Sequence, residues 1–490
     1  MRAGGTRQPR PTVPRTTVLT LLGLAFLAVG AGFSAMGLAR ATEMVLGIGF
    51  LIPALLNLPV AVILWAPLSF LPPIAYIGAA PTAAAATIML AWLPTLRDRF
   101  GPTRTMLRVH APRIIVAALL LTWVTLSVSW ADVPENGTSK LWQWWVAGGA
   151  FLIAVTTISE RRHVRWIVVA IFVGALLAAV FGYFGESLTT TESSLQLAAE
   201  DRRRFGSFLA DPNYLAAGFV AATILGTGLF ARGRPIGNTA IVLAMGLMTV
   251  AFAATESRGG LVAAAVTAVA ALLLYRGRRA QVVVFLALLT SVAAVFFSVT
   301  PNAWERISEF DATGSGRSGL WKVAWRITED HPVTGVGLGN FVEQAPKYTT
   351  QPGKLEVVRN IAERPHVTHN VYLQFLAETG FVGLVLFLGL LLTCMRAAWR
   401  AGNLFDSKGD PEMAALSRAC LIAIIAFASA SVFISDGNDI RFWLLLALGP
   451  ITYGAAVRAP AAIQPDDEIK IRRRQLPAWD PPPRPYAPVR

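Results

Sequence analysis

The chain has 490 residues, of which 54% are hydrophobic and only 15% charged, with a formal net charge of +14. A water-soluble chain would carry about 25% charged residues, so a soluble globular class is excluded. The apolar residues come in runs of bilayer length, about 20 residues each, and the reading is an all-α polytopic membrane protein. Cys394 and Cys420 lie in or beside apolar runs and read as packing residues rather than a disulfide.

A basic cytoplasmic tail, residues 1–15, holds Arg2, Arg7, Arg10 and Arg15. The apolar run at 16–39 is too long for a cleaved signal and reads as a helix. Runs follow at 43–57, 58–73, 76–96, 112–131, 141–158 and 165–184, within an N-terminal membrane region of 16–199. Pro53, Pro59 and Pro67 interrupt the second and third runs, which alternatively form one long tilted helix. A core membrane region, 200–299, has runs at 212–231, 236–255, 259–275 and 280–299. A long connection, 300–370, precedes runs at 371–395, 415–435 and 441–457 in a C-terminal membrane region of 371–458. The final stretch, 459–490, ends PPPRPYAPVR and reads as a disordered cytoplasmic tail rich in Pro and Arg. The total is about 14 transmembrane helices, in a range of about 12–14.

Positive charge separates the counts, because cytoplasmic connections are enriched in Lys and Arg. Fourteen spans with both termini inside put 28 of the 43 Lys and Arg on the cytoplasmic side. Thirteen would throw the five arginines between Leu96 and Arg113 outside. The net charge then follows from orientation and from contact with anionic membrane lipids, and needs no nucleic acid. The other basic residues gather in two external stretches, DRRRFGSFLADPN at 201–213 and the connection at 300–368. Connections of that length are functional or disordered. This one holds Trp304, Phe310, Trp321 and Trp325, a GVGLGNF run, and apolar spacing at Leu320, Val323, Ala324 and Ile327. It reads as folded, with an amphipathic helix lying at the membrane interface.

Three external features carry candidate chemistry. In ESRGG, 256–260, Arg258 stands between two apolar runs with almost no loop around it. An arginine at that depth costs about 2.5 kcal/mol or more unless paired or hydrated. It reads either as part of an anion site, with Gly259 and Gly260 admitting close approach of backbone or ligand, or as a helix-end arginine reaching to headgroups. In GRSGLWKVAW, Arg317 precedes the expected interfacial helix, which Ser315 or Ser318 would cap. A helix N-terminus with a guanidinium cradles phosphate; a solvated loop arginine is the other reading. In HNVYLQFLAETGFVG, 369–383, His369 is suited to take a proton near neutral pH, or is structural. Asn370 is an ordinary helix-start residue, and Gly380 and Gly383 suit close helix packing. Two arginines suit a diphosphate, and a base suits removal of a hydroxyl proton. The reaction class is transfer of a group from a lipid diphosphate to an acceptor hydroxyl.

These stretches resemble the O-antigen ligase and O-antigen polymerase superfamily of bacterial membrane glycosyltransferases. HNVYLQFLAETGFVG fits the His-Asn, nine residues, Gly-x-x-Gly pattern; SRGG at 257–260 fits the Ser-Arg-Gly element. RFGSFLADPNYLA at 204–216 is similar to the segment before a span, and GRSGLWKVAW with HPVTGVGLGNF to the start of the large external loop. The resemblance implies a GT-C-like helical fold with that loop before the third-last helix, in the bacterial cytoplasmic (inner) membrane. It implies a glycan donor on undecaprenyl or another polyprenyl diphosphate, an acceptor hydroxyl on a glycan, lipid or protein, and inverting transfer without metal or cofactor. His369 would activate the acceptor. Arg258, Arg317 and Arg204 would bind the donor diphosphate, with Ser257, Gly259 and Asn370 in support and Asn370 orienting the imidazole. Glu329–Asp330 is the one adjacent external acidic pair, and Asp436 and Asp439 are candidate partners for an arginine. The alternative is a transporter or flippase of lipid-linked oligosaccharides, which would show charges inside several spans and a repeat of two halves.

Overall fold

The computed structural model describes residues 49–70, 80–184, 205, 211–231, 233–275, 279–301, 304, 317–349, 351, 367–435 and 437–460. The expected run at 16–39, the first six residues of the run at 43–57, the tail at 1–15 and all but the first two residues of the tail at 459–490 therefore lie outside the described residues, as does Arg204. The described residues form helices and turns and contain no strand. In chain order the helices are α1 Leu51–Leu56, α2 Leu58–Trp65, α3 Ala80–Trp92, α4 Pro102–Val109, α5 Ala111–Ser127 and α6 Pro134–Thr157. Next come α7 Arg161–Phe184, α8 Pro212–Leu229, α9 Pro235–Ala254, α10 Arg258–Leu274 and α11 Arg279–Val299. The last are α12 Arg317–Asp330, α13 Phe341–Gln344, α14 Val371–Ser407, α15 Pro411–Ala430 and α16 Ile440–Arg458.

Several starts follow from one rule. Proline stands in the first turn of α4, α5, α6, α8, α9 and α15, where its missing N–H leaves no bond unmade. The chain breaks at Asn57, whose side chain caps α2 through the Val60 amide at 3.4 Å, so the second and third apolar runs are separate helices here.

Among the described residues, six helices are long and apolar enough to cross a membrane: Ala111–Trp130, Arg161–Tyr183, Pro235–Ala254, Val371–Ser407, Pro411–Ala430 and Ile440–Arg458. Shorter apolar helices lie at Leu58–Phe70, Ala84–Leu96, Arg258–Leu274 and Leu289–Val299. The outer surface is itself apolar, with Leu119, Leu243, Val269, Val385 and Leu392 exposed. Lipid is the solvent that suits such a surface.

The core is the packing of α8, α14, α15 and α16. Small residues set its closeness. A methyl on Gly228 would lie 2.7 Å from Ala419 Cβ, and one on Gly449 would lie 2.2 Å from the Cys394 carbonyl oxygen. Backbones thus approach as they do in membrane bundles, where dispersion replaces the hydrophobic drive. Successive helices alternate in direction. One end of the bundle carries two ion pairs, Arg165 Nη1 to Glu412 Oε2 at 2.9 Å and Arg161 with Asp410, and a hydrogen bond from Arg458 Nη1 to Ser159 Oγ at 2.6 Å. The opposite end gathers the starts of α8, α10, α14 and α16.

Residues 317–349 pack back onto the bundle. Leu320, Val323, Ala324 and Ile327 are buried against Val336, Phe341, Ala345, Tyr348 and Ala377. The expected amphipathic helix is present as α12, but its apolar stripe faces protein rather than lipid. The reason is that α14 supplies Ala377 to this small core. Arg326 Nη1 ties the far end by donating to the Tyr348 carbonyl at 2.8 Å. The Tyr348 phenol is pushed up to about 12 by burial and by a hydrogen bond with Asp330, so it stays neutral.

Candidate functional site

Ser257 is the N-cap of α10. Its Oγ accepts from the Gly260 amide at 3.0 Å and donates to Asn213 Oδ1 at 2.8 Å, binding the start of α10 to the start of α8. Arg258 is the first helical residue and half-buried. The two glycines sit where the chain packs closely. A methyl on Gly259 would lie 2.7 Å from Phe433, and one on Gly260 would lie 2.8 Å from Ala216 Cβ. They let Phe433 and α8 approach the start of α10.

Phe433 links this corner to the next two. Its ring lies 6.4 Å from that of Trp321 in the second turn of α12, which begins at Arg317. Trp321 Nε1 donates to the Thr368 carbonyl at 3.1 Å, and His369 follows. Val371 at the start of α14 donates its amide to the Ser431 carbonyl at 2.9 Å. The starts of α10, α12 and α14 are thereby drawn together around the 431–439 connection. Among the sequence-predicted residues, Ser257, Arg258, Gly259, Arg317, His369 and Asn370 all stand at or beside these three helix starts. Phe205, the neighbour of Arg204, packs its ring 4.7 Å from that of Tyr183 at the end of α7.

His369 has a φ of 48°, and Glu256, two residues before Arg258, has a φ of 52°. Both lie in the left-handed region that non-glycine residues visit at a cost. Asn370 is the helix-start residue its position suggested. Its Oδ1 accepts from the amides of Tyr372 and Leu373, both at 3.0 Å, which makes it the α14 cap.

The caps sort the helices electrostatically. A helix N-terminus carries about half a positive charge, and a carboxylate there neutralises it. α8 and α16 have such carboxylates, Asp211 and Asp439. Asp439 also grips Arg441 through bonds of 2.6 to 3.2 Å, and the Arg441 guanidinium lies 4.0 Å from the centre of the Tyr214 ring. Asp439 thus has the arginine partner expected of it, Arg441 two residues on; Asp436 lies outside the described residues. α10 and α14 have neutral caps, Ser257 and Asn370, and none of α10, α12 and α14 has an acid in its first turn. Glu256 is the acid next to Arg258 in the chain. Three helix starts with no acid in their first turns thus carry Arg258 and Arg317 and adjoin His369.

Sequence reasoning missed how the long connection enters the bundle. Gly380 is not helical: φ is 67° and ψ −172°, and α14 breaks there. Residues 332–337 fill the break. The Val336 amide donates to the Ala377 carbonyl at 2.9 Å, Gly337 to Glu378 at 2.8 Å, and Phe381 to Pro332 at 2.8 Å. Trp123 Nε1 takes the Thr379 carbonyl at 2.9 Å. The carbonyls freed by the break are thus bonded, as a buried backbone requires. The available signal was the alternation of Gly335, Gly337 and Gly339, each with positive φ.

The fold and site define an all-helical membrane protein that collects cationic side chains and helix N-termini at one end of its bundle. Residues 243–388, from α9 into the first half of α14, match the family model described as O-antigen ligase. The matched segment contains Ser257, Arg258, Gly259, Arg317, His369 and Asn370, and supports the O-antigen ligase and polymerase superfamily. That family implies a glycosyltransferase-like membrane enzyme. No curated protein matches the chain by sequence.

Proposed function

We propose that the protein transfers a glycan from a polyprenyl diphosphate donor to an acceptor hydroxyl on the outer face of the bacterial cytoplasmic membrane. The observation that carries this reading is the gathering of Arg258, Arg317 and His369 at helix starts with no acid in their first turns, within the segment matched to the family. The acceptor oxygen attacks the anomeric carbon as His369 takes its proton. The bond to the diphosphate breaks with inversion, and its electron pair leaves with the diphosphate. Negative charge grows on the departing oxygen, where fixed guanidinium groups and helix N-termini stabilise it better than reorganising water. One such interaction is worth about 2.7–4 kcal/mol in other enzymes. Arg204 is a further donor-binding residue. The mechanism calls for no metal.

Placement outside the cell follows from the charge pattern. The ion-paired end of the bundle holds basic connections that would face the cytoplasm, and the proposed site lies at the opposite end. The test is transfer by the purified full chain from a polyprenyl diphosphate glycan. Turnover with no other protein present supports an enzyme; its absence, with movement of the lipid-linked glycan across vesicles instead, supports a flippase. Deleting the gene distinguishes the two kinds of transferase. Loss of long chains with single units still attached identifies a polymerase. Loss of all attachment, with lipid-linked polymer accumulating, identifies a ligase.

A further inference from the structure

A cavity of about 160 Å³ adjoins the proposed site. Its polar lining comes from Lys140, Gln143, Gln374, Glu378, Ser435 and Asn438, and its apolar walls include Trp144 and Phe375. Thr368 joins it to the site, for its carbonyl accepts from Trp321 while its hydroxyl lies 3.2 Å from Ser435 Oγ. His369 is the next residue. Glu378 is buried deep in the lining, where it accepts from Gln374 Nε2 at 3.3 Å and from the Gly339 and Phe341 amides. Gln143, on α6, is exposed at the rim and hydrogen-bonds with Asn438. The space exceeds what one or two ordered waters need.

We infer that this cavity holds one neutral sugar ring of a glycan substrate beside His369. The chemistry is that of a polyol. Amide, hydroxyl, ammonium and carboxylate groups supply donors and acceptors on several sides, as vicinal hydroxyls require. Trp144 and Phe375, with ring centres 5.4 Å apart, offer apolar faces for the ring C–H groups. A single lysine beside a carboxyl makes a poor diphosphate site, and a diphosphate suits the two arginines instead. The identity of the ligand rests on the glycosyl-transfer reading; the site itself does not.

The experiment is saturation-transfer NMR of the full chain in nanodiscs with methyl glucoside, galactoside and mannoside, followed by transfer kinetics. At least one glycoside is expected to show saturation in the wild type and in Arg258→Ala, and to lose it in both Gln143→Leu and Asn438→Leu. Gln143→Glu, which keeps the shape, guards against misfolding as the cause. In kinetics, Gln143→Leu should raise one KM by about tenfold, as losing a hydrogen bond to substrate does. A rise for the acceptor assigns the ring to the acceptor, and a rise for the donor assigns it to the donor. No saturation by any glycoside, or saturation that survives both leucine variants, overturns the proposal. Failure of the transfer reading looks different: the wild-type chain would show no turnover of the polyprenyl diphosphate glycan, whatever the NMR shows.

Discussion

Gly380→Ala should destabilise the protein by about 3–5 kcal/mol, from two additive sources. A φ of 67° with ψ of −172° lies in a region that is essentially glycine-only, and alanine there costs about 1–3 kcal/mol. The new methyl would also lie 2.1 Å from the Val333 carbonyl oxygen and 2.7 Å from the Thr334 amide nitrogen. Residues 332–337 must then withdraw, and each bridging hydrogen bond they lose removes about 0.5–1.5 kcal/mol. Gly389→Ala is the control in the same helix. Its methyl would find nothing nearer than Val116 Cγ1 at 3.7 Å, and alanine is favoured over glycine in a helix by about 1 kcal/mol. The assay is denaturant unfolding of the full chain in mixed micelles, comparing midpoints at equal slope. A Gly380→Ala midpoint equal to wild type, or a Gly389→Ala midpoint falling as far, would refute the reasoning.

Arg258→Ala and Arg317→Ala should each lower transfer by about 10²–10³-fold while the protein still inserts, which in vitro turnover and membrane fractionation would check. His369→Ala should bind donor as wild type does yet lose turnover; an unchanged rate removes the base role. Asn370→Asp keeps the cap of α14, so stability should hold, but it adds a negative charge beside the proposed diphosphate and should cut turnover by about tenfold. Asp132, held below the usual carboxylate range by hydrogen bonds from Gln344 and then Lys347, ties residues 344–347 to the turn before α6. A lowered pKa means this tie is at full strength above the ordinary carboxylate pKa of about 4 and is lost as pH falls through the lower folded value. Hydrogen exchange at 341–349 should therefore accelerate below about pH 4, and Asp132→Asn should show no such step.

The helices were legible where apolar runs ended in plain punctuation. Runs expected at 212–231, 236–255, 259–275 and 280–299 became α8, α9, α10 and α11 with ends shifted by a few residues, because Pro212, Pro235 and the cap at Ser257 mark their starts. The run expected at 371–395 misjudged its element. α14 continues to Ser407, since Arg396 and Arg400 are good helix formers that hydropathy alone discards. The break at Gly380 was also invisible, because a glycine at close packing and a glycine at forbidden φ look alike in sequence. Ser257, Arg258, Arg317 and His369 could be picked out because charge at a helix mouth is rare in a greasy chain. The polar lining around Glu378 could not, since Lys140, Gln374 and Asn438 meet only after three distant segments pack.

The break at Gly380 divides α14 into a short front piece and a long rear one. Residues 371–379 make a rod of about 14 Å at 1.5 Å per residue, fastened at its rear by the inserted 332–337 segment and carrying the imidazole at its tip. A swing of about 10° about that fulcrum moves the tip by roughly 2 Å, the distance between a made and an unmade proton transfer. On the proposed mechanism, a substitution that shifts the inserted segment would therefore change the reach of His369 as well as the packing behind it.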